Sequence, residues 1–375
     1  MTGIALAPRS DFVGLDSVTH LYSGAEGPLL KSAAAALQGY TVEKANGTPG
    51  RLSHAEVATR CKDSLGKLLR VSPDDVAFLP TASDAISAVA GTIDFRDDDN
   101  VIVNDLEFPS VFLPWMKLRE QGVEVRVVQH RGWEIMTKDL LDAVDSRTRL
   151  MGLSHVSFFS GLRHDVVALS EELRRRNVRF LLDATQSLGV LPVDANLADY
   201  LVCSGYKWLL GLHGSAILYV NRETVGDVQP PNIGWYSVVT PYGPDRFEGF
   251  TLKPNASRFE TGYPNFPGIY VLNKSIPYLI SKDVAAIGAH VQRLGGLLIE
   301  GLRSRGLEVI TPDKPARRGA SVTFFHARAA ELSEALGQRG ILVWGREGRV
   351  RASVHLFNSE RDILDLLAAL DDLLT

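Results

Sequence analysis

Short apolar runs that do not alternate with polar residues, each followed by an amphipathic stretch, constrain this 375-residue chain more than anything else in it. The runs fall at 76–79, 101–103, 150–156, 180–184, 201–204 and 216–220, and a further strand lies at 123–129. A strand that is apolar at every position is buried on both faces, so helices must cover the sheet above and below. Helical spacing over 83–92, 109–121 and 165–176 supplies that cover. The pattern predicts an α/β chain with a mostly parallel central sheet and helices on both faces. Ser53 and Glu56 have capping-box spacing, which predicts a helix from there to about residue 69. After about residue 275 the rhythm changes to a long helix over 284–303, strands at 321–325, 342–344 and 350–357, and a final helix capped by Ser359. We therefore expect a large domain over 15–274, and a smaller α+β domain over 275–375 joined by residues 1–14.

Composition narrows the function. A formal net charge of −4 leaves no basic footprint for nucleic acid. No run approaches the ~20 apolar residues of a membrane span, and the segment from Met1 to Arg9 makes a poor secretory leader. Two cysteines, Cys61 on a helical apolar face and Cys203 at a strand end, make no disulfide framework. The nine histidines form no recognisable metal set. These features predict a cytoplasmic protein without metal, membrane or nucleic-acid partners.

In an open α/β sheet ligands collect outside the carboxyl ends of the strands, and chemistry-bearing residues recur there. Asp183 ends one strand, and Gln186 follows three residues on. The next strand ends at Ser204, and Gly205, Tyr206 and Lys207 come directly after it. An amine for a Schiff base and a carboxylate to keep a ring nitrogen protonated are what a pyridoxal 5'-phosphate (PLP) site needs. Ala82 and Ser83 open a helix whose free N–H groups suit a phosphate, and Ser204 adds a donor. Gln186 is placed to donate to a phenolate oxygen, Phe108 to stack on the ring, and His155 to touch its side. Lys207 is the candidate catalytic residue, as anchor and general base. His213 and Trp235 read more simply as turn and packing residues.

The order Thr81-Ala82-Ser83-Asp84, Glu107-Phe108-Pro109-Ser110, Ser154-His155-Val156-Ser157, Asp183-Ala184-Thr185-Gln186, Ser204-Gly205-Tyr206-Lys207, Arg258-Phe259-Glu260-Thr261-Gly262 and Arg351-Ala352-Ser353 resembles the class V aminotransferase family over roughly residues 15–370. The resemblance implies the PLP-dependent transferase fold type I. It implies that Tyr206 and Tyr263 join the cofactor site and that Arg351 grips a substrate carboxylate. It also implies a homodimer, in which the segment 258–265 reaches the neighbouring subunit's phosphate. The pattern is most similar to the isopenicillin N epimerase-like and cysteine desulfurase-like branch, with departures. No cysteine-bearing loop precedes Arg351, Phe108 stands where desulfurases usually have His, and Phe158 where they often have Asn. The resulting expectation is a PLP-dependent aminotransferase acting on a small amino acid or amine. An epimerase, a C–S or C–C lyase, or a non-catalytic PLP-binding protein are the alternatives.

Overall fold

The computed structural model describes residues 3–374. Its strands in chain order are β1 (Thr19–His20), β2 (Val76–Leu79), β3 (Asn100–Asn104), β4 (Glu124–Val128), β5 (Thr148–Ser154), β6 (Arg179–Asp183), β7 (Tyr200–Ser204), β8 (Ala216–Val220), β9 (Ser321–Phe325), β10 (Ile341–Leu342), β11 (Trp344–Arg346) and β12 (Arg349–Ser353). Seven of them form the main sheet, in the order β2-β8-β7-β6-β5-β3-β4. Only β8 runs against its neighbours. This is the expected α/β architecture, and the residues show why. β3, β7 and β8 are buried along their length or nearly so, as their unbroken apolar runs require, whereas the edge strand β4 alternates exposed and buried positions. The other edge, β2, is protected differently: the Phe78 N–H donates to Glu260 Oε1 at 2.9 Å, and Lys62 pairs with that carboxylate at 2.7 Å.

The C-terminal part holds the antiparallel sheet β11-β12-β9. β11 and β12 meet at Glu347 and Gly348, both at positive φ (53° and 72°), the two-residue turn whose twist matches paired strands. Near the N-terminus, β1 pairs in parallel with β10, and Tyr22 bridges to Ser353. We propose a division near residue 275, with the N-terminal segment on the C-terminal side of it.

Several elements differ from expectation. The helix expected to start at Ser53 begins at Gly47, so Ser53 and Glu56 lie inside it and cap nothing. Helices Lys31–Lys44 and Phe266–Ser281 carry no usable sequence signal. The first buries only Ala33, and the second is apolar nearly all round with Pro277 inside it. The run 342–344 splits between two sheets, and the strand begun at Arg349 ends at Ser353 rather than at 357.

The sheet's contribution to a site lies in register. Ser154 on β5 faces Asp183 on β6, and Ser204 on β7 faces Ala216 on β8, so the polar strand ends share one rim. The turn after β7 is closed by Gly211 N–H donating to Gly205 O (2.9 Å) and holds Leu210 in the left-handed region (φ 56°). That conformation costs about 1–2 kcal/mol. The N-terminal segment packs on this turn: Gly27 N–H donates to Tyr206 O at 3.0 Å, and a Cβ on Gly27 would lie 2.1 Å from the Lys207 carbonyl oxygen. Gly27→Ala should therefore lower the Tm by several degrees, since backbone must move. Gly39→Ala, inside a helix with open space around it, should leave the Tm unchanged or raise it. Equal melting of the two variants would contradict the close packing.

Candidate active site

A cavity of about 250 Å³ opens at the carboxyl ends of β2 and β5 to β7, and among its lining residues are Ser83, Phe108, Asp183, Gln186, Ser204 and Lys207. Residues far apart in sequence thus face one space. Thr81 caps the helix Ala82–Ala90 by accepting from the Asp84 N–H at 3.0 Å, which leaves Ala82 and Ser83 at the helix head. The Ser83 hydroxyl is 2.6 Å from that of Ser110, a second hydroxyl on the lining.

Asp183 is buried at the floor. Its Oδ1 accepts the Thr185 N–H at 2.8 Å. Burial raises its pKa, opposed by the hydrogen bonds of Thr185 and by the charge of Lys207. Lys207 is buried too, with Nζ 5.5 Å from the ring centroids of Phe108 and Tyr206. Burial and the nearby Arg351 charge bring its pKa down to about 8, against the pull of Asp183. Gln186 is pinned at both ends: Oε1 accepts from Trp208 Nε1 (2.9 Å) and Nε2 donates to Gly24 O (3.0 Å). One amide N–H remains for a ligand. Tyr206 lines the cavity and stacks on His213 at 4.1 Å. His213, expected to be only a turn residue, therefore belongs to the lining.

Three expected site residues are placed elsewhere. His155 follows Ser154 by one position on the strand path, so its ring leaves the other side. It sits 3.0 Å from Ser187 Oγ, receives Arg163 Nε at 3.3 Å, and does not line the cavity. Its pKa is lowered to about 3 by burial and by neighbouring cations. Tyr263 is 48% exposed, its hydroxyl is held by Arg51, and it lines an adjoining cavity that shares Pro80 and Gly214 with the first. Arg351 lies outside the lining, with Nη1 donating to Phe158 O at 2.7 Å.

The sequence profile of the family described as "Aminotransferase class-V" matches residues 21–366. The chain belongs to the class V aminotransferase family. This family of enzymes is PLP-dependent. Among its relatives, a probable cysteine desulfurase of Methanothermobacter thermautotrophicus is 28% identical over 88% of each chain. An uncharacterized aminotransferase, YcbU, of Bacillus subtilis is 26% identical over 96% of each. Among solved structures, a cysteine desulfurase of Thermococcus onnurineus NA1 superposes with a TM-score of 0.89 at 22% identity, covering 97% of this chain and 96% of that one. The cystine C-S lyase C-DES, solved with cysteine persulfide, gives a TM-score of 0.88 at 22% identity, covering 96% and 99%. These likenesses establish the shared fold, PLP-dependent transferase fold type I.

One buried acid of the quoted Glu107-Phe108-Pro109-Ser110 motif was given no role by the sequence alone. Glu107 lies buried beneath the cavity. Its Oε1 accepts from Asn104 Nδ2 (2.5 Å) and from the Ser154 N–H (2.9 Å), and its other oxygen meets the Ser154 hydroxyl. Burial, with Asp183 adding to it, pushes its pKa up to about 7, while the Ser154 and Asn104 donors pull it down. Glu107 and Asp183 thus lie close enough for each carboxyl to disfavour ionisation of the other, and only Asp183 has the charge of Lys207 to oppose the shift. The sequence clues were its place in the Glu107-Phe108-Pro109-Ser110 motif and an acid between an apolar strand and a helix.

The raised pKa has a definite sign for stability. The fold holds a proton that the unfolded chain releases near pH 4.5, so this contribution is complete below that pH. It is lost as pH rises to about 7. Glu107→Gln cannot titrate. The wild-type minus Glu107→Gln difference in unfolding free energy should fall by about 3 kcal/mol between pH 4.5 and 7 and then level off. The buried histidines act in the opposite direction, but equally in both proteins. A flat difference curve would refute a neutral Glu107.

Proposed function

We propose that this chain is a PLP-dependent enzyme acting on a small amino acid or amine, with transamination as its reaction. The observation that carries this reading is the placement of Lys207 Nζ and the buried Asp183 carboxyl on one cavity, beside the head of the Ala82–Ala90 helix. The residues fit the cofactor. The Ala82 and Ser83 N–H groups, with the Ser83 and Ser204 hydroxyls, would hold its phosphate. Phe108 would cover one ring face, and the spare Gln186 N–H would meet the ring oxygen. Asp183, which has no ion pair among the described residues, would hold the proton on the ring nitrogen.

When bound, the cofactor supplies an electron-withdrawing ring to an amino acid joined to it. The chain supplies the rest. With a pKa of about 8, Lys207 has a sizeable neutral fraction near neutral pH and can accept a proton from the substrate Cα and return it to another atom. Arg351, buried and without a carboxylate partner among the described residues, would hold the substrate carboxylate. The exposed aromatic residues Trp235, Tyr242, Phe247 and Tyr263 support a homodimer built over the adjoining cavity. Two buried free cysteines and no helix long and apolar enough to cross a membrane among the described residues support a cytoplasmic enzyme.

A second reading, elimination across a C–S bond, is supported by the likeness to the cystine C-S lyase. Cys61 and Cys203 are both buried, and burial raises both thiols. The Glu347–Gly348 turn takes the place of a cysteine-bearing loop before Arg351. An enzyme of this kind would release sulfur rather than carry it on its own thiol.

Borohydride reduction of the PLP-loaded protein followed by peptide mapping should find the cofactor on Lys207, and Lys207→Ala should lose turnover while remaining folded. Attachment to another lysine would overturn the site. Asp183→Asn should retain PLP through the phosphate contacts yet lose at least a hundredfold in kcat, about 2.7 kcal/mol of barrier. Near-normal kcat would exclude the ring-proton role. Among the products, a keto acid without ammonia supports transamination, whereas pyruvate with ammonia and a sulfur species supports elimination.

A further inference from the structure

Arg349 and Arg351 stand two residues apart on β12, so both side chains leave the same face of the strand. They are 1% and 5% exposed. Each guanidinium carbon lies 5.2 Å from the centroid of Trp344, so the two are no farther apart than twice that distance. The Arg349 guanidinium carbon is also 3.3 Å from the Phe159 centroid and 5.6 Å from that of Phe158. Phe158 contacts both arginines, through its ring to Arg349 and through its carbonyl to Arg351, and the same residue lines the cavity of Lys207. The arginine pair therefore sits behind one wall of the active-site cavity.

Its hydrogen-bonding capacity is largely unused. A guanidinium has five N–H donors. Nε of Arg351, and Nε and Nη1 of Arg349, are buried without a partner among the described residues. Arg349 bonds Glu347 through Nη2, but Glu347 sits on the hairpin turn with its side chain 71% exposed. No ion pair reaches Arg351 among the described residues. Arg351 is thus buried with no counter-charge among the described residues and Arg349 has only an exposed one at its edge, and burying charge with most of its donors unpaired is costly. A substrate with a single carboxylate would meet one guanidinium and leave the other as it is.

We propose that Arg349 and Arg351 form a two-anion subsite, and that the substrate is an α-amino acid with a second carboxylate on its side chain. The α-carboxylate pairs with Arg351 and the distal one with Arg349, while Phe158, Phe159 and Trp344 pack the methylenes between them. This rests on the reading of Arg351 as the α-carboxylate grip. The Phe158 ring must rotate to admit the ligand, a change of one side chain. Arg349 is then a specificity determinant: the distal carboxylate adds a charge-assisted contact that a neutral side chain cannot make.

The test uses unreactive anions on the PLP-loaded protein, with glutarate as the two-carboxylate probe and butyrate as the one-carboxylate probe. Binding is read from the cofactor's visible band and from tryptophan fluorescence, to which Trp344 contributes. Wild type should bind glutarate at least tenfold more tightly than butyrate. Arg349→Met should bring glutarate down to the affinity of butyrate, and Arg349→Lys should keep part of the preference. Circular-dichroism melts confirm that each variant is folded, and Arg349→Lys serves alone if Arg349→Met is not. Equal affinities in wild type, or a preference undiminished in a folded Arg349 variant, would overturn the subsite. Arg351→Met should weaken both anions. Butyrate binding untouched by that change would overturn the carboxylate grip of Arg351 itself, whatever the Arg349 variants show.

Discussion

The burial of ionisable groups at the ends of buried strands is the constraint on which the rest of this structure depends. β6 and β7 lie inside the sheet and cannot shed their polar ends into bulk water. Asp183 and Lys207 are placed there and must find compensation in each other, in Thr185 and in whatever fills the cavity. Desolvation moves the two in opposite senses, raising the carboxyl and lowering the amine, and their mutual attraction limits both shifts. The outcome is a lysine able to exchange protons near neutrality beside an acid that a ring N–H would draw into its ionised form.

Neighbouring groups are arranged around that pair. Glu107, one layer below, is buried and without a cation of its own among the described residues, and it takes donors from Ser154 and Asn104. Arg351 is close enough to help depress Lys207, yet its own charge is compensated by no carboxylate among the described residues. Phe158 connects the two regions, since it lines the cavity of the lysine and accepts a hydrogen bond from Arg351. Phe158 therefore stands between the lysine cavity and the arginine pair.

The N-terminal segment shows how tertiary contacts complete the arrangement. It pairs with β10, bridges at Tyr22 to Ser353, and lays Gly24 and Gly27 against Gln186 and the Lys207 turn. A side chain at Gly24 would also press on the Ser353 and Ser321 hydroxyls and touch Arg351. One short extended segment thus touches both the cofactor side and the arginine side of the site, though nothing in its own sequence announces this.

By itself the sequence determined the sheet and the covering helices, and it pointed to the strand-end rim as the place of a candidate site. Doubly buried strands must be apolar throughout, and a ligand rim at strand ends leaves polar residues just after those runs, as at Asp183, Ser204 and Lys207. It misplaced the start of the 47–69 helix because Ser53 and Glu56 have cap spacing inside a helix as readily as at its end. It missed the helix Phe266–Ser281 because a helix buried on nearly every side has no polar stripe to reveal its period. It placed His155 at the ring because chain order does not say which side of a strand path a residue leaves. Its neighbour Ser154 takes the cavity side instead. Only the tertiary structure decided that Glu107 lies under the floor without a counter-charge among the described residues, and that Arg349 and Arg351 share an aromatic box behind Phe158. Burial and pairing of charge depend on what other segments bring alongside, and those segments lie tens to hundreds of residues away in the chain.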